Sequence, residues 1–443
     1  MPTGLTAAQR QGGTPGTVAA AIEAWPLLAG MLMLMLGAGL QGTLISLRAT
    51  LEGFGTLTTG AVMSCYYLGY VGGAVGAPLL VQGVGHIRVF AALSASASVA
   101  ILLQGVYIDP LAWAVLRLVS GLCLAGIYVV AESWLNNQAS NQNRGGLLSV
   151  YMLVLYVGLG SGQFLLNAAD PASTRLFILV SVLISLAVVP MSLSQRRSPS
   201  FEAPAAVEYR ALFRLSPLGV AGVVVSGVVT GVLFSMGPVY AQMIALDAAD
   251  TAIFMGVGIL SAVLTQLPLG RWSDRVDRRS VLVGICVAGC VTALLASVFG
   301  TWSRLLLFGL AAGFGGIALT LYSLALAQIN DQLDPAQMVG ASGAVVLLNG
   351  AGATLGPLLV ALLMDRLGAP AYFLFLAMQL GGLALYGLHR QRRHAPVPSG
   401  KKGSFVGAQP QAAAGQMLAE IVLEASARDE PDPPDARQLA PAP

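Results

Sequence analysis

"GRWSDRVDRR", residues 270–279, gathers six charged side chains into ten residues of a chain in which only 10% of residues are charged. Around it the sequence is oily: 443 residues, 56% hydrophobic, with a mean hydropathy of +0.75. A soluble globular chain is about half apolar and about a quarter charged, so this composition belongs in a bilayer. Crossing the hydrocarbon core as a helix takes roughly 20 mainly apolar residues. The runs on either side of the quoted stretch, 251–270 and 280–300, have that length, which makes the charged stretch a loop between two spans.

Outward from these two, ten more apolar runs read as spans: 25–47, 58–80, 89–108, 111–131, 146–168, 174–194, 215–240, 304–327, 339–363 and 370–389, twelve in all. The first begins at Trp25 with no charged segment or cleavage site before it, so it is expected to be a retained helix rather than a removed signal peptide. The expected fold class is an all-α integral membrane protein of twelve transmembrane helices in two pseudo-symmetric six-helix bundles. The expected domains are a disordered N-terminal tail (1–20), a first bundle (21–194), a linker (195–214), a second bundle (215–394) and a disordered C-terminal tail (395–443). The tails are rich in Gly, Pro, Ala and Ser and lack the apolar patterning of a core, apart from a possible short helix near 413–427.

Orientation follows from arginine, which accumulates on the cytoplasmic side of helix ends. One set of alternate loops holds Arg88, Arg144, Arg196, Arg197, Arg210, Arg214, Arg271, Arg275, Arg278, Arg279, Arg390, Arg392 and Arg393, and the other only Arg48, Arg175, Arg304 and Arg366. Both termini, the linker and the 270–279 loop are therefore expected in the cytoplasm, with the protein in the inner (plasma) membrane. Trp25, Trp113, Trp134, Trp272 and Trp302 all fall near span ends, as an interfacial aromatic belt requires.

The chain also repeats. A shift of 192 positions lays "PLLVQGVGHIR" (78–88) over "GRWSDRVDRRS" (270–280) and "RLVSG" (117–121) over "GLAAG" (309–313). Helix order and glycine position carry the match more than identity does. Two parallel six-helix repeats related by an axis along the membrane normal are a transporter architecture, with the substrate between the halves near mid-membrane.

"GRWSDRVDRR" resembles the signature loop of the major facilitator superfamily, G-x-x-x-D-R-x-G-R-R, matched at Gly270, Asp274, Arg275, Arg278 and Arg279, with Asp277 where the pattern has Gly. In the first half Gly85 and Arg88 remain from that pattern, and Gln82 holds the acidic position. "RLVSGLCLA" (117–125) is similar to the helix-4 motif of the same family, and "VVAESWLN" (129–136), "YYLGYVGG" (66–73) and "NRGGLLSVY" (143–151) resemble its YcaD-like bacterial branch. The resemblance spans residues 21–394. It implies a secondary active transporter that moves a small organic solute by alternating access, with the charged loop latching the bundles together on the cytoplasmic side.

In that latch Arg275, Arg278 and Arg279 face Asp331 and Asp334 of "NDQLDPAQ" (330–337), with Gly270 and Asp274 completing the motif. The alternative is that the arginines only fix topology. Exposed pairs contribute about 0–1 kcal/mol each, so a latch needs several. Glu132, at the cytoplasmic end of helix 4 in the layer of Arg88 and Arg144, has two readings: a structural ion pair, or a proton carrier.

Arg117 is the basic residue inside a span, where arginine costs about 2.5–3.5 kcal/mol and normally faces a cavity or partner. Gly121 and Tyr128 share its helix face, which is expected to present a cation, a gap and a phenol. Further cavity candidates are Gln41, Arg48, Tyr67, Tyr70, Tyr156, Gln163, Gln266 and Asn349, each of which an interhelical hydrogen bond would equally explain. The pairs Gly72/Gly76, Gly158/Gly162, Gly309/Gly313 and Gly352/Gly356 read as small-xxx-small packing sites.

"GLGSG" (158–162) is no nucleotide loop, and no G-x-x-x-x-G-K-[ST] occurs, so no ATPase is expected. His86, His389 and His394 sit at the rim, and Cys65, Cys123, Cys286 and Cys290 in spans, so neither a metal site nor a histidine relay is expected. Expected partners are a small-molecule substrate and the lipid bilayer, without nucleic acid. No cofactor is expected beyond coupling to protons or another ion, and the chain is expected to act as a monomer. An enzyme would need a catalytic cluster that the spans lack. A transporter-like sensor or receptor is the alternative to a carrier, whose cargo stays open between a metabolite, a drug and an organic anion, taken up or exported: Arg117 and Arg48 point to anionic or zwitterionic solutes, and the resemblance is equally compatible with multidrug or metabolite efflux.

Overall fold

The computed structural model describes residues 17–138, 143–193, 209–333 and 335–393. All twelve apolar runs are helices of membrane-spanning length and composition. A short helix α1 (Thr17–Glu23) precedes them, and the first bundle comprises α2 (Trp25–Leu51), α3 (Thr56–Val84), α4 (His86–Val106), α5 (Pro110–Gln138), α6 (Arg144–Phe164) and a broken span, α7 (Arg175–Leu186) with α8 (Val188–Ser192). A short α9 (Tyr209–Leu215) leads into the second bundle: α10 (Pro217–Met243), α11 (Ala248–Arg275), α12 (Arg278–Phe299), α13 (Arg304–Asn330), α14 (Pro335–Leu367) and α15 (Ala371–Arg393). Part of the expected N-terminal tail is thus helix α1 and part of the expected linker is α9. The rest of both tails, the helix expected near 413–427 and residues 194–208 lie outside the described residues.

Helices suit this chain because in hydrocarbon every backbone N–H and C=O must be satisfied within the segment. The spans alternate in direction, so α2 begins and α15 ends at the same end of the molecule, here the near end, with the far end opposite. Several helices outrun their apolar stretch at the near end: α5 continues to Gln138 and α11 to Arg275.

The two bundles are assembled alike. In the first, α3 packs on α5, α2 on α6 and α4 on α7; in the second, α11 packs on α13, α10 on α14 and α12 on α15. The closest backbone approaches repeat as well. Gly39 lies against the Leu159 carbonyl and Gly231 against that of Ala353; Gly121 lies against the Tyr66 carbonyl and Gly315 against that of Gly258. Each member of the second set lies 192 or 194 positions beyond its counterpart, so the repeat read from sequence is a repeat of helix contacts.

Such contacts need small residues, because between lipid-embedded helices close packing replaces the hydrophobic effect as the source of attraction. Gly158 and Gly162 pack on Met35 and Leu36, and Gly352 and Gly356 on Val224 and Val228. Gly72, Gly76 and Gly309 differ from expectation: a side chain at any of them would meet open space. On α3 the packing face is instead Gly69 and Gly73, against Leu118 and Leu122, three residues earlier and so about 60° round the helix. The tryptophan belt is also thinner than expected. Trp25, Trp272 and Trp302 are exposed, whereas Trp113 and Trp134 are buried. Trp113 donates its indole N–H to the Tyr107 carbonyl at 2.7 Å, and Trp134 packs edge-on to His86.

Between bundles, α3 packs on α14, α6 on α11 and α2 on α10. Toward the far end these seams are tight. Gly60 abuts Pro357 and Ala361, Gly256 abuts Phe164, and the Ser46 hydroxyl donates across the seam to the Ser235 carbonyl at 2.7 Å.

Candidate functional site

Just inside the far-end seal, a small recess opens between the bundles. Four helices of the first bundle supply nearly all of its wall: Gln41 and Thr43 from α2, Met63, Tyr66 and Tyr67 from α3, Arg117, Leu124 and Tyr128 from α5, and Leu159 and Gln163 from α6. The second bundle adds Phe234 of α10.

The polar groups are held in place by their own bonds. Gln163 donates its amide to the Gly39 carbonyl at 2.9 Å and accepts from the Thr43 hydroxyl, which ties α6 to α2 where the glycines bring the two helices close. The Tyr128 hydroxyl donates to the Met35 sulfur at 2.9 Å. Arg117 is 4% exposed. Its guanidinium carbon stands 4.3 Å from the centroid of the Tyr66 ring, a cation–π contact that is strongest when water is excluded. Its Nε has no hydrogen-bond partner.

Gly121 produces this arrangement, though not as the gap that its sequence position suggests. The space a side chain would fill there is occupied by the α3 backbone at Tyr66, and that approach brings the Tyr66 ring beneath Arg117. Five of the ten residues singled out from sequence therefore line one cavity: Arg117, Tyr128, Gln41, Tyr67 and Gln163.

The other five do not line it. Arg48 pairs with Glu52 one turn on at 2.6 Å and reaches the Pro171 carbonyl at 3.3 Å, at the far end. Tyr70 lies behind the wall, between Tyr66 and Tyr128. Tyr156 is buried against the second bundle. Gln266 donates to the Ser323 hydroxyl at 3.0 Å, and Asn349 to the Val223 carbonyl at 3.1 Å, both within the second bundle. Sequence reasoning missed Thr43, Tyr66 and Phe234. Tyr66 carried a signal in its place beside Tyr67 in "YYLGYVGG", whereas Phe234, in a uniformly apolar helix, carried none.

The near end holds the charged loop. Arg278 is 1% exposed and donates to Asp274 at 2.7 Å, to Asp331 at 2.8 Å and to the Ala327 carbonyl at 3.0 Å. Asp274 is on α11, Arg278 opens α12 and Asp331 caps α13. These two ion pairs therefore staple three helices of one bundle, where a latch between bundles was expected: Asp331 belongs to the same half as the arginine it binds. Gly270 is buried, Arg275 and Arg88 are exposed and Arg279 is half-buried, while Asp334 lies outside the described residues.

Asp277, in the place of the motif glycine, has φ −58° and accepts from the Arg279 backbone N–H, capping α12. The turn thus needs no positive φ. Glu132 is buried in the near half of α5, close enough to Tyr70, Tyr128, Tyr151 and Tyr322 to interact electrostatically with each. Tyr322 belongs to the second bundle. Among the described residues no group of three or more His, Cys, Asp or Glu side chains is placed to hold a metal ion.

The Sugar (and other) transporter family matches residues 25–206, and the Major Facilitator Superfamily matches residues 244–427, one model on each half. Each half of the chain is thus similar to a transporter family, the second half to the major facilitator superfamily. Among its relatives is the MFS-type transporter YcaD of Escherichia fergusonii, 29% identical over 377 residues, which cover 84% of this chain and 96% of the relative. YcaD of Salmonella arizonae is 29% identical over 356 residues, 79% of this chain and 91% of that one. Among solved structures, the nucleoside transporter NupG aligns with a TM-score of 0.70 at 14% identity, covering 84% of this chain and all (100%) of NupG. A bacterial homolog of the human lysosomal transporter Spinster, inward-facing and unoccupied, aligns at 0.63 and 13% identity, covering 95% of this chain and 100% of that one. At such identities these structures share the fold. The chain is a multi-pass membrane transporter.

Proposed function

We propose that this transporter is a secondary carrier that moves a small organic solute through the cavity by alternating access, with the near end in the cytoplasm of the cell whose inner membrane it spans. The observation that carries the reading is the cavity itself. It is a polar recess lined by one bundle, faced by Phe234 of the other, and placed just inside a seam that closes the far end. Two duplicated bundles that meet through small residues are built to rock against each other about such a site, and the excess of arginine in the near-end loops supports the cytoplasmic assignment.

Access to the cavity tests this. In a chain whose four cysteines are replaced by alanine, Phe234→Cys is the reporter. It is expected to react with an impermeant maleimide added from the near side of oriented vesicles when the far seam is shut, and from the far side when a cysteine cross-link holds the near ends together. Labelling from one side only, under both conditions, would favour a fixed receptor.

A further inference from the structure

We infer that the cargo is an organic monoanion, such as a carboxylate, whose charged group binds Arg117 and whose apolar body lies against Phe234 and the neighbouring tyrosines. The inference rests on the carrier reading above and adds the charge class of the solute.

Charge decides it first. Arg117 is the charged residue of the cavity wall, and no carboxylate lines the cavity with it. The ion pairs of Arg48, Arg278 and Arg304 lie elsewhere. A guanidinium this deeply buried is costly in hydrocarbon. The Tyr66 ring beneath it offsets part of that cost through its π face. The unpartnered Nε is a donor of a planar fork that suits a carboxylate. A bound anion would complete the pair, whereas a cation would be repelled and a neutral solute would leave the charge uncompensated.

The rest of the wall narrows the class. A zwitterion needs an acceptor carboxylate for its ammonium group, and Arg48, the second cation that had pointed to anionic or zwitterionic cargo, is already occupied by Glu52. An inorganic anion would leave the apolar side of the cavity, Phe234, Leu124, Leu159 and Met63, without a partner. A single negative charge on an apolar body fits both sides, and Gln41 stands beside it for a second polar group.

The test is protection of a second reporter, Gly42→Cys, also on the cavity wall and with room for a side chain, in nanodiscs with Arg117 and Phe234 intact. The probes are aliphatic and aryl carboxylates, each beside its matched amide and amine, together with chloride and inorganic phosphate. At least one carboxylate is expected to slow maleimide labelling about tenfold relative to its own amide, while the amines, chloride and phosphate leave the rate unchanged. Arg117→Gln should erase the carboxylate–amide difference, and Arg117→Lys should keep its sign while weakening it. If no carboxylate separates from its amide, or if amines or inorganic anions protect as well, the inference fails. The decisive comparison uses intact Arg117 and Phe234 and so does not depend on how the Arg117 variants fold. A cavity whose Phe234→Cys reporter is accessible from alternate sides, yet whose Gly42→Cys reporter no carboxylate protects, would overturn the charge class and leave the carrier reading standing.

Discussion

The two bundles are one scaffold used twice, yet they carry opposite chemistries at opposite depths. At mid-membrane the first bundle presents Gln41, Tyr67, Arg117 and Gln163, where the shifts at which the helix contacts repeat, 192 positions for the first two and 194 for the others, find Leu233, Ile259, Ala311 and Pro357 in the second. At the near end the order reverses. The second bundle has Asp274 and Arg278 as an ion pair, where the first has Gln82 and His86, the latter hydrogen-bonded to the Ser133 hydroxyl at 3.0 Å. Duplication has thus kept the glycine contacts that set helix spacing and divided the rest: one half holds the polar groups of the cavity wall and the other an ionic staple.

The largest expected effect tests the staple. Arg278→Ala leaves two carboxylates without their cation, and Asp331 is as buried as the arginine, each side chain being 2% exposed. Removing one member of a buried pair costs about 3–5 kcal/mol, read as a lower denaturation midpoint of the purified protein. Asp274→Asn should cost no more than about 1 kcal/mol, since that side chain is 36% exposed. His86→Ala, the first-half counterpart, removes the hydrogen bond to Ser133, worth about 0.5–1.5 kcal/mol, and the edge-on contact with Trp134, and should cost less than Arg278→Ala. Equal losses at Arg278 and His86 would break the comparison.

Much of this division was legible in the sequence, and the reason differs from residue to residue. The twelve spans follow from apolar length and the charged loop from composition, both properties of the chain read in one dimension. Arg48 and Arg117 show where a further signal was present: both are arginines within a helix, but Glu52 stands four residues beyond Arg48, the spacing of a same-face ion pair. Tyr66 and Tyr70 mark the limit. Which tyrosine meets the cavity depends on the rotation of α3, and that is set by Gly69 and Gly73 docking on α5, a contact between helices that the pattern of either alone does not encode.

Those glycines supply the intermediate test. A methyl group at Gly121 would collide with the Tyr66 backbone, and one at Gly315 with the Gly258 backbone. Each alanine substitution should therefore destabilise its bundle by about 1–3 kcal/mol. Gly309→Ala, into open space, should be close to neutral. Only Gly121→Ala moves Tyr66 away from Arg117, so it alone should also weaken carboxylate protection of the cavity reporter. Loss of protection in Gly315→Ala to the same degree would mean that the two halves share the binding chemistry after all.

The smallest effect separates the halves at a single turn. Gly85 and Asp277 are 192 positions apart and each joins a second helix of its bundle to the third, but Gly85 sits at φ +87° and Asp277 at −58°. At the first position a side chain strains the backbone, so Gly85→Ala should cost of order 1–3 kcal/mol. At the second, backbone freedom is not needed and the Asp277 side chain caps α12. Asp277→Gly, which restores the family pattern, should therefore bring no gain and cost only a few tenths of a kcal/mol for the lost cap. The measurement is the denaturation midpoint of each variant. A stabilised Asp277→Gly would mean that the second turn prefers the left-handed geometry of the first, and that the departure from the family pattern here is a defect tolerated by the Arg278 staple rather than an alternative way of making the same corner.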